Sequence, residues 1–164
     1  MNKENEIPSL PIRVDKEGLW YYQGALMFRK DILEVFFKNL KMDEEGRYLV
    51  ELEGDKSFIE VEDTPIVVEA VAKHDRKDDE GESIEVFLSD STSEELDPST
   101  LRMNTENILY CGIRNGAFEA RFLRAAYYQI AECIEHDGEK DTYFIPLNGK
   151  NYYIDNYISG GTQC

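Results

Sequence analysis

One order of elements occurs twice within the 164 residues of this chain, and that repetition restricts the folds open to it more than any single motif does. Leu19-Trp20-Tyr21-Tyr22 and Ala25-Leu26-Met27-Phe28 flank Gln23-Gly24 and read as a strand pair about a tight turn. Ile32, Leu33, Phe36, Phe37 and Leu40 then fall on one stripe of a helix predicted over 29–41, which Asp43-Glu44-Glu45-Gly46 ends. A hairpin over 48–52 and 57–61, turning at Gly54, completes the first copy. In the second copy, 108–113 leads through Asn115-Gly116 into 117–120. A helix is predicted over 121–135, with Leu123, Ala126, Tyr127, Ile130, Ala131 and Ile134 on its apolar stripe. The hairpin over 143–147 and 151–154 follows, turning at Asn148-Gly149. Tyr48-Leu49-Val50 thus matches Tyr143-Phe144-Ile145, Gly54 matches Gly149, and Phe58-Ile59 matches Tyr152-Tyr153.

Two copies are too few for a solenoid, and each is smaller than the roughly 70–80 residues that usually supply an independent core. The expectation is therefore an α+β protein built from a duplicated strand pair, helix and hairpin unit, with two small subdomains packed together. The first spans 10–98 and includes two added strands, over 65–72 and 83–88, that extend its sheet. The second spans 99–158. A junction between subdomains is a preferred place for a ligand cleft.

Charge narrows the partners. With 18 Lys+Arg against 34 Asp+Glu, the net charge of -16 opposes generic attraction to nucleic acid or to anionic lipid headgroups. The excess is regional: between Asp43 and Asp97 there are 20 acidic and 5 basic residues. The flanking segments are close to neutral, so a small anion does not meet the field that a polyanion would. The two densest acidic stretches, 74–82 and 90–98, are nearly free of apolar residues and rich in turn formers and are read as solvated loops; neither matches the spacing of a calcium loop. No membrane-spanning run is present.

Cys111, Cys133 and Cys164 show no paired spacing, which argues against structural zinc. An odd number of thiols and an N-terminus without a long apolar run favour a reducing cytoplasm. His74 and His136 have no nucleophile beside them in a known arrangement, and His136 is placed at a helix end. Gly-x-Ser-x-Gly, His-Glu-x-x-His, phosphate-loop and dinucleotide fingerprints do not occur. No catalytic residue, metal ligand or cofactor site is therefore assigned, and the chain is read as a binding protein rather than an enzyme.

Both predicted helices open on arginine, Arg29 in one and Arg121, then Arg124, in the other. A cation there opposes the helix dipole unless an anion lies close. Asp31, Glu34 or Glu119 can supply that anion; so can a bound phosphate or carboxylate, which helix N–H groups and a guanidinium hold well. Trp20 would provide a wall, and Glu62 and Asp63 would orient an arginine or a ligand hydroxyl.

Leu10-Pro11-Ile12-Arg13-Val14-Asp15-Lys16-Glu17-Gly18-Leu19-Trp20-Tyr21, Arg29-Lys30, Asp43-Glu44-Glu45-Gly46-Arg47-Tyr48 and Ile59-Glu60-Val61-Glu62-Asp63-Thr64-Pro65 resemble the bacterial family called domain of unknown function 1285. The likeness runs over roughly residues 10–155 and is strongest in the first 65. It implies an α+β protein with a duplicated motif and a second domain superficially similar to pleckstrin-homology folds. It also implies a nucleotide-like ligand site at the domain interface and a signalling role, but no reaction.

Two functions follow as expectations. The first is a cytoplasmic ligand-binding or regulatory module that holds a small anionic, nucleotide-like molecule through Arg29, Arg121, Trp20, Glu62 and Asp63. The alternative is a protein-interaction module whose acidic face recruits a basic partner.

Overall fold

The computed structural model describes residues 7–75 and 81–156. Contact density divides the chain after Pro65 into two units. In the first, β1 (Ser9–Val14), β2 (Trp20–Tyr22) and β3 (Ala25–Leu26) precede α1 (Lys30–Lys38), and β4 (Leu40–Met42), β5 (Tyr48–Leu52) and β6 (Asp55–Val61) follow it. They form one sheet in the order β3-β2-β1-β6-β5-β4. All neighbours are antiparallel except β1 and β6, which run parallel with Arg13 opposite Glu60. Ile12, Val14, Trp20, Phe37, Leu40, Val50 and Ile59 fill this unit's core.

The second unit comprises β7 (Val67–Asp75), β8 (Glu82–Leu88), β9 (Ser93–Glu95), a 3-10 turn at Pro98–Thr100, β10 (Arg102–Met103), β11 (Leu109–Ile113), β12 (Phe118–Phe122), α2 (Arg124–Ala131), β13 (Glu135–Asp137), β14 (Thr142–Leu147), β15 (Lys150–Tyr153) and β16 (Asp155–Asn156). Its sheets run β16-β10-β11-β12-β7-β8-β9 and β13-β14-β15.

The strand registers demonstrate the duplication. Val14 lies opposite Trp20 as Met103 lies opposite Leu109, and Tyr21 opposite Leu26 as Tyr110 opposite Arg121. Leu49 faces Phe58 as Phe144 faces Tyr153, and the parallel pair of Arg13 with Glu60 recurs as Arg102 with Asp155. The repeated unit therefore has six strands: β1 corresponds to β10, and β6 to β15 and β16 together. Phe58-Ile59 matches Tyr153-Ile154, one position on from the match read in the sequence.

Even the turn chemistry repeats. Asp15 and Asn104 each accept two backbone N–H groups downstream, from Glu17 and Leu19 and from Glu106 and Ile108. Gly18 and Asn107 occupy the left-handed region at φ 81° and 63°, a conformation that glycine and asparagine tolerate best. Arg13 covers the ring of Tyr21 at 4.6 Å, and Arg102 covers that of Tyr110 at 4.3 Å.

Four sequence expectations need correction. The strands near 65–72 and 83–88 exist, as β7 and β8, but they extend the second unit's sheet through a parallel pairing of β7 with β12, so the boundary falls after Pro65 and not at 98. Helix α1 stops at Lys38: Asn39 caps it, and Leu40 pairs with Val50 as a strand residue, because a buried leucine satisfies either pattern. Helix α2 begins only at Arg124 and ends at Ala131, so Arg121 lies in β12 and His136 in β13 rather than at helix ends. Of the two acidic loops, 74–75 and 82 belong to β7 and β8, while 76–80 lie outside the described residues. The other folds back as β9, and its Asp90 is buried against Arg114 at 2.9 Å.

Candidate functional site

Arg29 is the N-cap residue of α1 and grips Asp31 with both Nε and a terminal nitrogen, at 3.2 and 2.7 Å. This fork supplies the local anion that the helix start requires, and it holds the Asp31 carboxyl below its usual range. Trp20 is 2% exposed; its indole N–H donates to the carbonyl of Pro65 at 3.2 Å, and its ring meets Phe37 edge-on at 5.1 Å. Glu62 accepts the Lys16 backbone N–H at 3.1 Å and lies 4.0 Å from Arg13, so it closes a turn beside β1. Asp63 is half-buried in the following bend. Arg29, Trp20, Glu62 and Asp63 therefore belong to the first unit, and Arg121 to the second.

The duplication locates a different concavity. Helix caps Arg29 and Leu123 set the helices in register, so Phe37 of α1 corresponds to Ala131 of α2. The strand register equates Trp20 with Leu109. Where the first unit packs an indole against a phenyl ring, the second has leucine and alanine. A cleft of about 460 Å³ runs along Ala131, walled by Met103, Tyr127, Ile134 and Ile154, with Asn107, His136 and Tyr143 at its mouth. The counterparts of Met103, Ala131, Ile134 and Ile154 are Val14, Phe37, Leu40 and Ile59, all buried core in the first unit. Cavities of this size and mixed lining are typical of small-molecule sites.

The polar rim is held in place by its neighbours. His136 lies on Tyr143 with ring centroids 4.9 Å apart and contacts Asp141 through Nε2 at 3.1 Å. On the same hairpin the Tyr153 hydroxyl donates to Asp137 at 3.0 Å, and this bond, aided by the N–H groups of Lys140 and Glu139, depresses the Asp137 carboxyl. On the other side of Tyr127 and Asn107 lies an adjoining depression of about 250 Å³ that contains Arg121, Arg124 and Tyr128. Here α2 begins without a side-chain cap and without an acidic residue in its first turn, whereas α1 carries Asp31 there. Two arginines thus line one depression at the start of α2.

A second group of polar residues lies on the β7-β8-β9 face. Glu85 links His74 and Ser93, at 2.9 Å from His74 Nε2 and 2.7 Å from the Ser93 hydroxyl, which lowers its carboxyl pKa. The carboxylate sits between serine and histidine, so the Ser93 hydroxyl donates to Glu85 and not to the imidazole, the reverse of the order in a serine, histidine and acid triad. Among the described residues no cluster of His, Cys, Asp or Glu is arranged to hold a metal ion, and no helix is long and apolar enough to cross a membrane.

The cleft was hidden from sequence reasoning because its residues look like ordinary core. The signal is comparative: with the copies in register, tryptophan opposes leucine and phenylalanine opposes alanine.

Comparison with known proteins agrees with the resemblance read from the sequence. Residues 3–64 match the N-terminal domain of the DUF1285 family, a domain of unknown function. No curated protein matches the chain. A DUF1285 family protein of Silicibacter pomeroyi has a crystal structure similar to this one, with a TM-score of 0.73 and 18% identity over 92% of this chain and 82% of that one. Another, from Shewanella baltica, gives 0.61 and 18% identity over 75% of this chain and 91% of its own.

Proposed function

We propose that this chain is a ligand-binding, regulatory module for a small anionic molecule of the nucleotide type, with the ligand's flat ring in the second unit's cleft and its anionic group on the Arg121 and Arg124 side of Tyr127. One observation carries the reading: the cleft stands open along Ala131, where the duplicate unit fills its core with Phe37. Tyr127 and Tyr143 offer ring faces for stacking, and Asn107 and His136 offer hydrogen-bonding edges. Guanidiniums beside an uncapped helix start suit a phosphate. A signalling role is consistent with the lack of a nucleophile and base pair at the cleft, and a cytoplasmic location with the free thiols Cys111 and Cys133.

The test is a melting-temperature panel of nucleoside monophosphates, the parent nucleosides and inorganic phosphate. A nucleotide at a hundredfold excess over its dissociation constant stabilises by about 2.7 kcal/mol. Ala131→Phe places the first unit's residue in the cleft and should remove that shift, while Arg124→Ala weakens nucleotides more than nucleosides. If no compound shifts the transition, or if Ala131→Phe binds as the parent does, the reading fails.

The alternative, an acidic face recruiting a basic protein, is favoured by one feature. The more open depression over β7-β8-β9 is lined by Asp75, Glu85, Glu94 and Glu95 against Lys73 and His74. Association through it would weaken steeply with salt.

A further inference from the structure

The two units treat one sheet edge differently. In the second, β12 carries β7 as a parallel neighbour: Arg121 pairs with Val67 and Phe122 with Val68, and the Leu123 N–H donates to the Val68 carbonyl at 3.0 Å. Helix α2 completes the seat, since the Gln129 side-chain oxygen accepts the Val71 N–H at 2.6 Å. Under this strand Ala120 and Ala126 are completely buried.

In the first unit the equivalent edge is β3, the outermost strand of its sheet. Leu26 corresponds to Arg121, Ala25 to Ala120, Ile32 to Ala126 and Val35 to Gln129. The Met27 N–H donates to the Trp20 carbonyl, which makes Trp20 and Met27 a hydrogen-bonded pair and the adjacent Tyr21 and Leu26 a non-hydrogen-bonded one. The backbone groups of Leu26 therefore point away from the sheet, in the direction from which Arg121 receives β7. The face beside this edge is apolar and exposed: Leu26 46%, Phe28 80%, Ile32 39% and Val35 48%. Leu26, Phe28 and Ile32, with Tyr22 and Phe36, bound a groove of about 380 Å³, and Val35 lies one turn further along α1. Single exposed apolar side chains are ordinary, whereas a contiguous set along an open strand edge marks an interaction site.

We propose that the first unit binds an extended, predominantly apolar segment of a partner protein as a parallel strand on β3, with its side chains in the groove against α1. The duplicate identifies the occupant, because it seats Val67-Val68-Glu69-Ala70-Val71-Ala72 on the same edge and helix face. Two copies of this chain related by a two-fold axis would instead join their β3 edges antiparallel, opposite to the direction that this edge accepts in the second unit. This proposal is independent of the ligand cleft, which lies in the other unit.

The test uses the whole chain and a synthetic peptide, Val-Val-Glu-Ala-Val-Ala flanked by lysines, titrated under observation by nuclear magnetic resonance. Saturable shifts are expected at Leu26, Phe28, Ile32 and Val35, with slower exchange of the Leu26 amide. A spin label at the peptide's N-terminus should broaden signals near Leu26, and one at its C-terminus those near Val35. Ile32→Glu, at an exposed position, should weaken binding at least tenfold with an unchanged circular dichroism spectrum; Leu26→Pro, which deletes the outward N–H, should do the same. Should Leu26→Pro disturb the fold, Ile32→Glu alone decides. Absence of binding, shifts confined to the second unit, reversed label positions, or undiminished affinity in Ile32→Glu each overturn the proposal. So does sedimentation showing a dimer that Ile32→Glu dissolves, since the occupant is then a second copy.

Discussion

Replacing Trp20 by leucine, the residue at the equivalent position 109, tests whether the indole is what closes the first unit's core. At 2% exposure nearly the whole side chain is removed from water. A buried tryptophan hides about 200 Å² and leucine about two thirds of that, so roughly 70 Å² of lost burial costs about 1.7 kcal/mol at about 25 cal/mol per Å². The edge contact with Phe37 at 5.1 Å and the tilted one with Phe36 at 6.1 Å add about 0.5–1 kcal/mol. The Pro65 carbonyl loses its indole donor, for about 1 kcal/mol more. Trp20→Leu should therefore cost about 3–4 kcal/mol, read by circular dichroism as a urea midpoint lower by about 2 M at ordinary slopes for a small protein. A loss below about 1 kcal/mol would refute the argument, since a side chain that leucine replaces so cheaply cannot be what closes the first unit's core.

Two further outcomes follow from the titrating groups. Complete burial pushes the Cys111 thiol up to about 12, so iodoacetamide at pH 8 should leave Cys111 unmodified until denaturant is added; peptide mass mapping checks this, and modification of the native protein at a free-thiol rate contradicts it. Asp137, depressed by the Tyr153 hydroxyl, and Asp43, depressed by the N–H and guanidinium of Arg47, stabilise the fold above the ordinary carboxylate range. That stability is intact from neutral pH down to about 4 and lost as pH falls through the lowered native values. Asp137→Asn should thus melt lower at neutral pH and converge on the parent in acid; parallel melting curves at every pH would remove Asp137 from the account.

The parts of the fold legible in the sequence were those with local causes. Asn148-Gly149, at φ 52° and 77°, defines its hairpin by backbone preference alone. The apolar stripes located both helices but not their ends, because Leu40 fits a helix face and a strand equally well, and Arg121 continues an alternation that belongs to β12. The two-residue strands β10 and β16 carry no period at all. The pairing of β7 with β12 is long-range and parallel, and its direction cannot be read from either strand's own pattern. The same limit affected the site. Matching Arg29 to Arg121 as two helix starts overlooked that the second hairpin is the longer one: Tyr110 meets Arg121 across Asn115-Gly116, whereas Tyr21 meets Leu26 across Gln23-Gly24. Arg121 thus corresponds to Leu26 and Arg124 to Lys30.

The treatment of this edge bears on what each copy leaves open. Arg121 and Phe122 at the end of β12 pair with β7, and β7 in turn holds α2 by the bond from Val71 to Gln129. The second unit thus holds its helix from that side and carries alanine at 131 and leucine at 109 where the first carries Phe37 and Trp20. In the first unit β3 is the outermost strand among the described residues, and Phe37 and Phe36 of α1 pack on Trp20. Support on one side and free volume on the other are therefore linked: the unit with the covered edge has the open cleft, and the unit with the open edge has the filled core. A strand bound to β3 as proposed would support α1 as β7 supports α2, so the peptide that binds this edge should also raise the melting temperature of the chain.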